Sequence, residues 1–141
     1  MKVAFYKGKG DWVDWAIRKW TRSPYSHCEI VIDNTWYSSS ARDGGVRKKN
    51  IHHNPENWDF IDIKIQVNDK NIIKMFFNKQ IGKKYDYVGI LLSQVIPLHE
   101  DIKNRWFCSE ICAYTLQLID ILPKDKKSNW YSPGRLYKRL S

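Results

Sequence analysis

The chain has 141 residues and a formal charge of +9, a length suited to one domain that buries roughly 70% of its unfolded surface. Hydrophobic residues make up 43% and aromatics 14%, including seven tryptophans, which excludes a disordered chain. Twenty-four basic against fifteen acidic side chains favour polyanionic neighbours, whether nucleic acid, anionic lipid or an acidic polymer.

In chain order, KVAFYKG alternates as a first strand that ends at Gly8 and Gly10. Asp11 is placed to cap a helix running through Trp20, with Asp14 three residues on and Val13, Ile17 and Trp20 at helical spacing. Ser23-Pro24 ends that helix. HCEIVID follows as a β-branched strand, NT turns the chain, and WYSSSA forms the second strand of a hairpin. RDGG marks the next turn, GVRKKNI continues the sheet, and WDFIDIKIQV adds another strand.

Asp69 is expected to cap a helix holding Ile72, Ile73, Phe76 and Phe77, which stops at Gly82. A further helix is expected from Asp86 to Pro97, then a charged loop, then a helix from about Cys108 to Pro123. SPGRLYKRL closes as a short helix that packs Leu136, Tyr137 and Leu140. The sum is an α+β chain, residues 1–141 as one domain, with strands packed against helices.

No apolar run reaches membrane-spanning length and no secretory leader opens the chain, so the expectation is a soluble, cytoplasmic protein. Three cysteines without framework spacing favour free thiols over disulfides. Cys108 and Cys112 are four residues apart with no C-x2-C pair, which lacks structural zinc spacing, so neither a metal nor a cofactor is expected.

Cys108 falls at a helix start, where the helix dipole and backbone N–H groups favour a thiolate. His27, at the first residue of a strand, is a candidate general base and acid. Side chains two apart on a strand share a face, so Glu29 projects beside His27 as a candidate orienting carboxylate while Cys28 points the other way. Ser39 or Ser40, on the neighbouring strand, is a rival for that third role. Cys28 and Cys112 read as packing, and His52, His53 and His99 as surface residues.

The order YSHCEIVID, WYSSSARDGGVR, IGKKYDYVGILL, WFCSEICAYTLQL, YSPGRLYKRL resembles the circularly permuted NlpC-like, papain-fold cysteine hydrolases of the YiiX type. It is more distantly similar to the lecithin retinol acyltransferase group. The likeness runs from about Tyr6 to Leu136 and is most specific at S-H-x-E, G-K-K-Y-D and F-C-S-E. It implies a bacterial or bacteriophage enzyme with a papain-like fold and an antiparallel sheet packed against helices. Cys108 would be the nucleophile, His27 the base and acid, and the Cys108 N–H part of an oxyanion hole.

Many relatives carry an acid before a small residue in the second hairpin strand, where this chain has Ser40 before Ala41. Glu29 is then left to orient His27, or there is only a dyad. The implied reaction is cleavage or transfer of a peptide, amide or ester acyl group through a thioester, on a peptide or acyl-lipid substrate. Two other readings stand beside it. One is a basic, non-catalytic module that binds nucleic acid or another polyanion, although none of the basic runs has a specific nucleic-acid motif. The other is the same fold kept as an interaction scaffold.

Overall fold

The computed structural model describes residues 1–86 and 105–141. Among these, seven strands form one open sheet: β1 (Lys2–Tyr6), β2 (His27–Ile32), β3 (Thr35–Ser40), β4 (Gly45–Lys49), β5 (Trp58–Asp62), β6 (Lys84–Tyr85) and β7 (Arg105–Trp106). Their spatial order is β5-β1-β2-β3-β4-β6-β7, antiparallel throughout except for the parallel β6–β7 pair. Four helices accompany it: α1 (Trp12–Thr21), α2 (Val67–Gln80), α3 (Cys108–Leu118) and α4 (Pro133–Leu140). The architecture is α+β.

Alternation along the strands explains the layering. Val3, Phe5, Cys28, Ile30, Ile32 and Tyr37 turn toward one face, where α2, α3 and α4 cover them with Ile73, Phe77, Ile111, Leu116 and Leu136. Buried apolar area on this face supplies the main stabilisation of the fold. The opposite face carries His27, Glu29, Trp36 and Arg47, with Trp36 packed against Trp58, Phe60 and His53.

Two turns set the strand registers. The β2–β3 turn is Asp33–Asn34 rather than Asn34–Thr35, and both residues take positive φ, 49° and 63°, as a two-residue type I′ hairpin demands. Asp and Asn tolerate that conformation, and Thr35 is released into β3 opposite Ile32. The β3–β4 turn pairs Ser40 with Gly45.

Several element boundaries differ from the sequence expectation. Trp20 is half exposed and does not share the inward face of Val13 and Ile17. Asp11 does cap α1, accepting from Val13 N–H at 3.0 Å and Asp14 N–H at 3.2 Å. β5 ends at Asp62, short of the expected run to Val67, with Ile63 N–H donating to Met1 O at 2.9 Å just beyond it. Gln66 occupies the cap position of α2, and Asp69 sits three residues inside, accepting the Gln66 N–H at 2.9 Å.

α3 ends at Leu118, short of Pro123, because Asp120 takes a left-handed φ of 54°. That turn folds Leu122 back into the core. Lys84–Tyr85 and Arg105–Trp106 are short strands without a periodic signal. The expected helix from Asp86 to Pro97 and His99 lie, beyond Asp86 itself, outside the described residues.

Candidate active site

The site forms where β2 and β3 part. Their ladder pairs Ile30 with Tyr37, Val31 with Trp36 and Ile32 with Thr35, then stops, although β3 continues to Ser40 against β4. Into the gap comes the start of α3. Ser39 Oγ donates to Trp106 O at 2.7 Å, and Ser38 Oγ donates to Cys28 O at 2.8 Å. The same carbonyl accepts from Cys112 Sγ at 3.7 Å. Backbone groups that a continued ladder would have paired are thus met by side chains.

Cys108 is the first residue of α3 and is fully buried. Its sulfur interacts with the His27 ring, the Cys28 thiol and the Cys28 N–H. Burial alone would push the Cys108 thiol up, but the Cys28 hydrogen bond, the His27 cation and the Cys28 N–H overcome it and bring it down to about 5. For His27, burial opposes the charged ring, while Cys108 and then Glu29 favour it and raise it to about 10. Both shifts run in the direction that favours a thiolate beside an imidazolium.

Glu29 fixes the ring. Its Oε1 lies 3.0 Å from His27 Nε2, which leaves Nδ1 as the nitrogen for the thiol. Glu29 is 2% exposed, and burial disfavours its charge. Arg47 outweighs that with a bidentate contact, Nη2 to Oε1 at 2.6 Å and Nη1 to Oε2 at 2.7 Å, so the carboxyl stays below its ordinary range. Arg47 Nε is held in turn by Asp43 at 2.8 Å. The row therefore runs Cys108, His27, Glu29, Arg47, Asp43.

Of the residues singled out in the sequence, Cys108, His27 and Glu29 come together. Ser40 lines the same cleft without a side-chain hydrogen bond among the described residues, and Ser39 is spent on Trp106. Cys112 is buried packing on the same helix. Cys28 does face away from the His27–Glu29 side, yet that turns it toward α3 and against Cys108, so its setting is not that of a bystander in the core. His52 and His53 are exposed.

Sequence reasoning missed Arg47, the Cys28 N–H and Ser26. Ser26 Oγ is buried, has no hydrogen-bond partner among the described residues, and lines the cleft one residue before His27. A signal for Arg47 did exist. The two turns put Ile32 opposite Thr35 and Ser40 opposite Gly45, and counting back along each register aligns Glu29, Ser38 and Arg47 across three strands.

The cleft holds about 190 Å³ and is lined by His27, Glu29, Ser26, Ser40, Tyr85 and the inner face of α1. Cys108 lies behind its wall, packed with Ile17, Tyr85 and Phe107, with Val13 and Ala41 at the margin. Arg42 pins α1 across the cleft through Asp14 and, at 3.4 Å, Asp11. Among the described residues no group of three or more His, Cys, Asp or Glu is arranged to hold a metal, and no helix is long and apolar enough to cross a membrane. No protein-family model matches the chain, and no curated protein matches it either.

Proposed function

We propose that the chain is a thiol-dependent acyl hydrolase or acyltransferase with a papain-like fold of the permuted NlpC type. Cys108 is the nucleophile, His27 the general acid and base, and Glu29 the orienting residue. The observation that carries this reading is the row in which the buried Cys108 thiol meets His27, His27 Nε2 lies 3.0 Å from Glu29, and Arg47 grips the Glu29 carboxylate, an order that favours the thiolate. Core cysteines have no use for a charged partner, and burying one without function would cost stability.

In the reaction, the Cys108 thiolate attacks an acyl carbonyl carbon and the carbonyl oxygen takes the negative charge. N–H groups at the start of α3 are the natural donors to that oxygen. As the C–N or C–O bond breaks, His27 gives its proton to the leaving amine or alcohol. A water, or another hydroxyl or amine acceptor, then loses a proton to His27 and attacks the thioester, releasing the acyl product and the thiolate. Glu29 holds the ring and its charge through both steps. Ser26 Oγ offers a polar contact to a substrate in the cleft.

Cys108 is fully buried with Ile17, Tyr85 and Phe107, so a substrate carbonyl reaches its sulfur when this packing gives way, and Ile17 is the α1 residue to trim. The test is labelling with iodoacetamide near neutral pH, followed by mass spectrometry. Cys108 is expected to react much faster than Cys28 or Cys112, His27→Ala to slow it, and Ile17→Ala to speed it. An activated ester is expected to leave an acyl group on Cys108 that hydroxylamine removes. Equal and sluggish labelling of all three thiols, with no acyl adduct, would sink the reading.

A further inference from the structure

The helix that walls Cys108 has an outer face that the proposed chemistry does not use. On α1, Trp12 is 78% exposed, Trp15 61% and Trp20 50%. At about 100° per residue, Trp12, Trp15, Ala16, Lys19 and Trp20 span an arc of about 140°, opposite Val13, Asp14 and Ile17. Three exposed indoles on one ten-residue helix are a large apolar surface for a soluble face to leave in water.

The same face is cationic. Trp15, Lys19, Trp20 and Arg22 border one shallow depression with Arg135, which reaches over from the start of α4. Arg135 stacks on Trp130, its guanidinium 4.5 Å from the ring centroid, and Trp130 is itself partly exposed. Lys19, Arg22 and Arg135 have no acidic partner among the described residues. α4 is anchored beside α1 by close packing of Gly134 against Ser23, so the two sources of charge hold a fixed relation.

We infer that this face of α1, with Arg135 and Trp130 beside it, docks on an anionic lipid bilayer surface. The indole is an apolar body with one polar N–H, which suits the boundary between headgroups and acyl chains, and the flanking cations match negative headgroups. The depression is short and open, bordered by α1 and Arg135, and does not extend into a groove along which successive bases of a nucleic acid strand would stack. A wall or nucleic-acid polyanion would satisfy the charges but leave the three indoles in water.

This docking does not rest on the catalytic reading, because no residue of the Cys108–His27–Glu29 row takes part. The cleft would lie one helix diameter, about 10 Å, from the bilayer, since the inner face of the docking helix lines it.

The test uses the whole chain and sedimentation with vesicles of phosphatidylcholine alone or mixed with phosphatidylglycerol. Binding is expected only to the anionic vesicles, with tryptophan fluorescence quenched by brominated acyl chains. Trp12→Ala/Trp15→Ala/Trp20→Ala is expected to weaken it about 100-fold and to abolish that quenching. Each of Lys19→Ala, Arg22→Ala and Arg135→Ala is expected to cost roughly fivefold, an effect that salt masks. Cys108→Ala is expected to bind like the parent, which separates docking from catalysis.

Thermal unfolding of the triple variant controls for packing and is expected to match the parent. Any of four results would overturn the inference: no vesicle binding by the parent, binding that survives loss of the tryptophans, a triple variant that is unfolded, or a parent that is a dimer dissociated by the tryptophan substitutions. Retention on heparin without vesicle binding would assign the charge to a polyanion instead.

Discussion

The two ends of β2 make a useful contrast. At Ile30 and Val31 the strand is paired on both sides, Ile32 still pairs with β3, and Ile30 and Ile32 are buried under the helices. From His27 to Glu29 it keeps β1 but loses the regular ladder to β3, and α3 enters the opening. The paired end stabilises and the parted end positions charged groups. A sheet gains stability by continuing its ladder, so stopping it needs substitutes for the lost backbone bonds. Here Ser38 and Cys112 supply them at the Cys28 carbonyl, and Cys108 faces the Cys28 N–H.

The first way to break that contrast removes a charge from the parted end. Arg47→Ala strands the Glu29 carboxylate in a site that is 2% exposed, and is expected to cost about 3–5 kcal/mol in urea unfolding. Ile30→Ala at the paired end is expected to cost a similar amount, about 2–5 kcal/mol, by leaving a cavity. The two should part company in chemistry. Arg47→Ala slows Cys108 alkylation because His27 loses a firmly ionised partner, whereas Ile30→Ala leaves the thiol as reactive as before. Equal effects on reactivity would mean that the two ends are one cooperative unit.

A second prediction concerns pH. The Cys108 thiol is held down to about 5, so its alkylation rate should rise with pH through a midpoint near that value and stay level through neutrality. In His27→Ala the cation is gone while burial still opposes the thiolate, so the midpoint moves up to or beyond the ordinary thiol range. Glu29→Gln should move it in the same direction by less, since the carboxylate acts on sulfur only through the ring. A parent midpoint near that of free cysteine would contradict the charged pair.

Much of this arrangement was legible in the chain because its signals are local. The Asp11 cap, the β-branched run after His27 and the helix beginning at Cys108 each follow from a few neighbouring residues. Glu29 beside His27 needed only strand alternation, since the two are separated by one residue. What escaped was the environment set by distant partners. Arg47 reaches Glu29 from 18 positions away, and only the turn registers disclose it. Cys28 escaped for a different reason. Alternation sent it correctly to the other face, but at the parted strand end that face is where α3 brings Cys108. The outward turn of Trp20 was hidden because its position at the border of the apolar arc fits either side.

The smallest expected effect tests the register itself. Ser38 stands between Glu29 and Arg47 when the β2–β3 and β3–β4 registers are continued, and it is fully buried. Ser38→Ala removes the 2.8 Å bond to Cys28 O and should cost about 1 kcal/mol, since Cys112 Sγ remains as a weak donor to that carbonyl. Ser38→Val has the better strand propensity, yet it should cost more than Ser38→Ala. Its branched side chain occupies the path by which the guanidinium crosses to the carboxylate. Unfolding midpoints give the energies, and the Cys108 labelling rate gives the second readout. If Val proves milder than Ala in both, Arg47 does not cross at Ser38, and the small residue there is present for the Cys28 carbonyl alone.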